Sequence, residues 1–99
     1  MSKKLKKRLE KQLAQKWHEK ADVNIGKKGI SAGVVGEIDR RLEEQALIKI
    51  KFLQNFLTED FSQAIQQLVK KTNSQLVEKR GKTVILYRAK QQQERAKSF

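Results

Sequence analysis

Two glycines bracket two lysines in Gly26-Lys27-Lys28-Gly29, and that spacing is the strongest chemical signal in the chain. Glycine lets a backbone turn tightly and come close to a ligand. A short apolar run, Val23 to Ile25, leads in, and a helical pattern with Val34, Val35, Ile38 and Leu42 on one side leads out. Such a helix aims its unpaired N–H groups, and the positive end of its dipole, back at the loop. With two ammonium groups at the tip, the loop is a phosphate site made of backbone and charge. No G-K-[ST] closes it as a nucleotide-binding loop requires, and the G-x-G of a dinucleotide fingerprint is missing. What remains is the G-x-x-G clamp that grips a nucleic-acid backbone. The bland alternative is a strand-to-helix turn whose lysines are merely solvated.

Other chemistry is sparse. There is no cysteine and one histidine, His18, so neither thiolate chemistry nor a metal site is expected. No paired carboxylates and no nucleophile beside a base stand out, so an enzyme acting on RNA is the weakest reading. Asp22, next to the loop, reads as a lone strand-edge acid. Trp17 and Tyr87 are the candidates for base stacking, and each has a bland role in packing. No cofactor is expected.

Composition narrows the partner. The chain has 99 residues, enough for one domain, and a net charge of +12. That charge implies a polyanion, nucleic acid before anionic membrane. No apolar run approaches the ~18 residues of a membrane span. The basic N-terminus lacks the apolar stretch of a secretory signal. A cytoplasmic protein, a monomer without membrane attachment, is the expectation.

The elements that must position the loop follow from periodicity. Leu5, Leu9, Leu13 and Trp17 recur every fourth residue, one stripe of a first helix. Residues 1–20 carry a local net charge of +6, and Lys3, Lys4, Lys6 and Lys7 on the outer faces are candidate phosphate contacts. Ala21 to Ile25 reads as a strand. Ser31 is a plausible N-cap for a helix to about Gln45. Gly33 and Gly36 cost that helix about 1 kcal/mol each, which suggests close packing on the sheet. Leu47 to Phe52 is the clearest strand, with Ile48, Ile50 and Phe52 on one face and Lys49 and Lys51 on a wet, basic one. Thr58 is expected to cap a third helix with a core stripe of Phe61, Ala64, Ile65, Leu68 and Val69. Gln75 to Lys79 and Thr83 to Arg88 form a hairpin around Arg80-Gly81-Lys82, the last strand apolar enough to be central. From Ala89 the chain turns polar, and residues 91–99 read as a basic tail. The order α-β-α-β-α-β-β predicts one α/β domain, a mixed four-stranded sheet with crossover helices.

Ile25-Gly26-Lys27-Lys28-Gly29-Ile30, Gly33-Val34-Val35, Glu37-Ile38, Leu47-Ile48-Lys49-Ile50-Lys51 and Arg80-Gly81-Lys82-Thr83-Val84-Ile85-Leu86-Tyr87-Arg88 together resemble the CRM domain (chloroplast RNA splicing and ribosome maturation). The likeness covers roughly residues 3–90 and is greatest to the stand-alone, YhbY-like prokaryotic members. It implies a fold similar to the C-terminal domain of bacterial translation initiation factor three, with an added N-terminal helix. It implies a domain over residues 1–90 that binds RNA, namely precursor ribosomal RNA of the large subunit. On the motif, Gly26, Lys27, Lys28 and Gly29 carry the contact, joined by Lys49 and Lys51; the basic first helix goes beyond it. An architectural protein on duplex DNA is the alternative, although a G-x-x-G clamp suits a flexible strand better than a stiff duplex.

Overall fold

The computed structural model describes residues 3–54, 56 and 60–89, with side chains from residue 9 onward. The polar tail at 91–99 and the expected cap Thr58 lie outside the described residues, as do the side chains of Leu5, Lys3, Lys4, Lys6 and Lys7.

The element order is α1 (Lys3–His18), β1 (Val23–Ile25), α2 (Ala32–Glu44), β2 (Leu47–Phe52), α3 (Phe61–Thr72), β3 (Gln75–Arg80) and β4 (Thr83–Tyr87). The four strands form one mixed sheet in the order β1-β2-β4-β3. β1 pairs with β2 in parallel, and β4 runs antiparallel to both β2 and β3. β2 and β3 therefore point the same way, which obliges α3 to cross over between them. The apolar run Val84-Ile85-Leu86 is fully buried in the central strand β4, because that strand has covered faces on both sides.

α2 and α3 cover one face. Ile38 and Leu42 of α2, and Ala64, Ile65 and Leu68 of α3, meet Ile25, Ile48, Ile50, Phe52, Val84 and Leu86 in a single core. Full burial of one such aliphatic or aromatic side chain stabilises the fold by roughly 1.5–3 kcal/mol. α2 begins as the sequence indicates: Ser31 Oγ accepts a hydrogen bond from the Val34 N–H at 3.2 Å. Gly33 and Gly36 correct the expectation of close packing. Both are exposed, and a Cβ on Gly36 would meet nothing within 4 Å. α3 starts two residues later than expected, with Asp60 as its N-cap accepting from the Gln63 N–H at 3.0 Å. A carboxylate there satisfies an unpaired donor and complements the helix dipole.

The opposite face is not the wet surface that the alternation of β2 suggests. α1 lies on it. Lys16, 6% exposed, pairs with Asp22 at 2.9 Å and Glu19 at 3.3 Å and donates to Gln45 Oε1 at 2.8 Å. Asp22 also accepts from the Lys49 N–H at 2.8 Å, so its carboxylate extends the β1–β2 pairing by one residue. Trp17 Nε1 donates to Glu78 Oε1 at 2.7 Å, and the Arg80 guanidinium stacks on the indole 4.4 Å from its centre. The acid that reads as a lone edge residue is thus the centre of the network that docks the first helix.

Arg88 fastens the far side. Its guanidinium pairs with the Asp39 carboxylate and donates to the backbone carbonyls of Thr72 at 2.7 Å and Asp39 at 3.0 Å. One planar donor set thereby joins the end of β4 to α2 and to the last turn of α3. On the solvent face of α2, Glu37 accepts from Arg40 at 2.6 Å and Arg41 at 2.9 Å. Those bonds, Arg40's first, hold the Glu37 carboxyl below its ordinary range.

Candidate nucleic-acid interface

The lysine loop is a tight turn. The Gly29 N–H donates to the Gly26 carbonyl at 2.9 Å, closing a four-residue turn with Lys27 and Lys28 at its exposed tip. Gly29 has φ +69°, a left-handed conformation that a side chain resists. The Ser31 N–H returns to the Gly29 carbonyl at 3.1 Å, and α2 starts at the next residue. The positive end of α2 therefore faces the turn, and charge and dipole act in the same direction there.

Sheet register brings further cations to this end. Ile25 pairs with Phe52, so β1 and β2 finish together. The Phe52 N–H donates to the Lys82 carbonyl at 2.8 Å, and Lys51 pairs with Thr83, so the β3–β4 hairpin turns at the same edge. Lys27, Lys28, Lys51 and Lys82 are all exposed there. Lys79, also exposed, places its ammonium 5.0 Å from the Phe61 ring at the start of α3. Lys82 and Lys79 escaped the sequence reading because a hairpin's position beside another strand depends on strand order. The apolar run of β4, which marks it as central, was the available signal.

Lys49 does not belong to this set. Its ammonium donates to the Trp17 carbonyl at 2.9 Å and the Glu19 carbonyl at 2.7 Å, and it sits 5.4 Å from the Trp17 ring. It caps the C-terminal end of α1, where unpaired carbonyls and the negative dipole favour a cation. Leu9 and Leu13 share a cavity wall with Leu47 and Tyr87, which lie at the sheet end opposite the turn, and residues 3–8 continue beyond. Trp17 and Tyr87 offer little to a base: the indole carries Arg80, and Tyr87 is half-buried beside α1.

Among the described residues no cluster of His, Cys, Asp or Glu is placed to hold a metal, and no helix is long and apolar enough to cross a membrane. The profile of the CRS1/YhbY (CRM) domain matches residues 1–88, which include the turn, β2 and the β3–β4 hairpin. The chain belongs to the CRM domain family. This CRM domain is 39% identical over 64 residues to the Probable RNA-binding protein YqeI of Bacillus subtilis, a match covering 65% of the chain and 66% of YqeI, just under two thirds of that protein. Its fold is similar to the solution structure of SAV1595 from Staphylococcus aureus, a candidate RNA-binding protein, with a TM-score of 0.65, 32% identity and 90% of each chain covered.

Proposed function

We propose that this CRM domain is a non-catalytic RNA-binding protein that grips the RNA backbone with the Gly26–Gly29 turn and assists assembly of the large ribosomal subunit on precursor ribosomal RNA. The observation that carries the reading is the turn itself. Two exposed lysines stand over a left-handed glycine at the start of a helix, in a chain with a net charge of +12. Lys51 and Lys82 extend the contact along the same edge, and the excess positive charge in the sequence of residues 1–20 supplies further candidate phosphate contacts in Lys3, Lys4, Lys6 and Lys7. The names of the relatives support RNA as the ligand, and the family resemblance supports its ribosomal source. The protein acts as a cytoplasmic monomer in this account.

Duplex DNA is the competing ligand, because backbone charge alone does not distinguish it from RNA. Competition between a structured fragment of large-subunit ribosomal RNA and a duplex DNA of equal length, at equal salt, tests the proposal. The RNA should displace the protein from DNA by at least about tenfold in concentration, since an unpaired strand can bend around a G-x-x-G turn. Equal competition would favour the architectural DNA-binding reading.

A further inference from the structure

Beside the lysine turn lies a cavity of about 330 Å³. Gly29 forms one lip. Phe56 and Ala64, both buried, form its apolar floor, and Asp60, Gln63 and Gln67 of α3 supply its polar wall. The floor reaches the turn directly, since a Cβ on Gly29 would stand 3.8 Å from Phe56 Cε1. The size is at the small end of ligand pockets, enough for one planar heterocycle.

The polar wall is the unusual part. The adjacent edge of the sheet is basic, yet among the described residues no cation lines this cavity, and the one charged group among them there is a carboxylate. A phosphate would be repelled there. Asp60, Gln63 and Gln67 stand at helical spacings of three and four, so they form one row along α3. Gln63 and Gln67 are exposed amides, each offering a donor pair and an acceptor in one plane. Such amides bond either phosphates or base edges, and the carboxylate beside them favours a base here. A carboxylate accepts several hydrogen bonds at once, so the helix cap made by Asp60 is compatible with a second donor.

We propose that this cavity takes one unpaired nucleobase bearing an exocyclic amino group, with adenine the best fit. The Gln63 and Gln67 amides pair with its hydrogen-bonding edge, as glutamine does with the amino group and ring nitrogen of adenine. The Asp60 carboxylate accepts from the amino group, and Phe56 and Ala64 meet the ring. Uracil, with a carbonyl in place of the amino group, turns an acceptor toward the carboxylate and is disfavoured. This rests on the turn gripping the RNA backbone, because Gly29 belongs to both the turn and the cavity and so delivers the neighbouring base.

Fluorescence anisotropy with short single-stranded oligoadenylate, oligocytidylate and oligouridylate of equal length, at fixed salt, tests the inference. The wild-type chain should bind the adenine and cytosine oligomers about tenfold more tightly than the uracil oligomer. Asp60→Asn, which keeps a capping oxygen for α3, together with Gln63→Ala and Gln67→Ala should bring all three to the uracil level, while the salt dependence stays as in wild type. Both glutamines are exposed on a helix, and alanine favours helix, so the melting temperature should not fall. Lys27→Glu with Lys28→Glu should weaken all three oligomers alike. Equal affinities in the wild-type chain, or a preference that survives the triple variant, would overturn the base site and leave the backbone reading standing. Lysine reversal without effect on any oligomer would overturn the backbone reading, and the base site with it.

Discussion

Lys49 and Lys51 stand two residues apart on one face of one strand and do different work. Lys51 is exposed at the edge beside the turn, whereas the Lys49 ammonium is committed to two carbonyls at the end of α1. Their substitution should therefore separate binding from stability. Lys49→Ala should cost the fold about 1–3 kcal/mol, the scale of hydrogen bonds to a charged group in a partly buried setting. Lys51→Ala should leave the melting temperature alone and lower affinity for the ribosomal RNA fragment, by removing one phosphate contact. Melting curves and titrations of the two variants check this; a Lys49→Ala variant as stable as wild type would contradict the capping role. The alternation of β2 correctly put both lysines on the same face. It could not show that a helix from elsewhere covers half of that face, because docking of α1 depends on Lys16, Asp22, Gln45 and Glu78, which are distant in sequence.

Among the elements, α2 is the one that aims the site, since it starts where the turn ends. Its N-cap was legible in the sequence because Ser31 stands just ahead of the apolar periodicity, and the cap bond is local. Its glycines misled for a physical reason: low helix propensity marks a cost without saying whether packing or nothing at all accounts for it. Gly33 and Gly36 face solvent. Gly36→Ala should accordingly stabilise the protein by about 1 kcal/mol in thermal or denaturant unfolding. No gain, or a loss, would mean that the space above Gly36 is occupied in solution. The start of α3 was placed early for a related reason. Thr58, Glu59 and Asp60 are all cap-like residues, and sequence alone does not rank them; the observed cap bond is to Asp60. Strand identities were easier, since period-two alternation in β2 and the continuous apolar run of β4 each follow from which faces are covered.

At the scale of the whole molecule, charge and topology are arranged together. The sheet order brings the ends of β1 and β2 beside the β3–β4 hairpin, and with them Lys27, Lys28, Lys51 and Lys82. Composition announced a polyanionic partner but not where it binds, since half of the +12 lies in residues 1–20 and the rest is spread over the remaining chain. The Gly-Lys-Lys-Gly spacing marks the edge proposed to bind, and strand order adds Lys51 and Lys82 to it. The measurement that bears most directly on this account is the salt dependence of ribosomal RNA binding by the wild-type chain and by Lys27→Glu with Lys28→Glu, with melting curves alongside. With ~4 to 6 phosphates engaged, the wild-type log–log slope should be about −3 to −5. The double variant should keep the wild-type melting temperature, because both side chains are exposed at a turn tip, and should lose specific binding altogether. A double variant that binds as tightly as wild type, with the same slope, would reduce the turn to a connector and contradict the account.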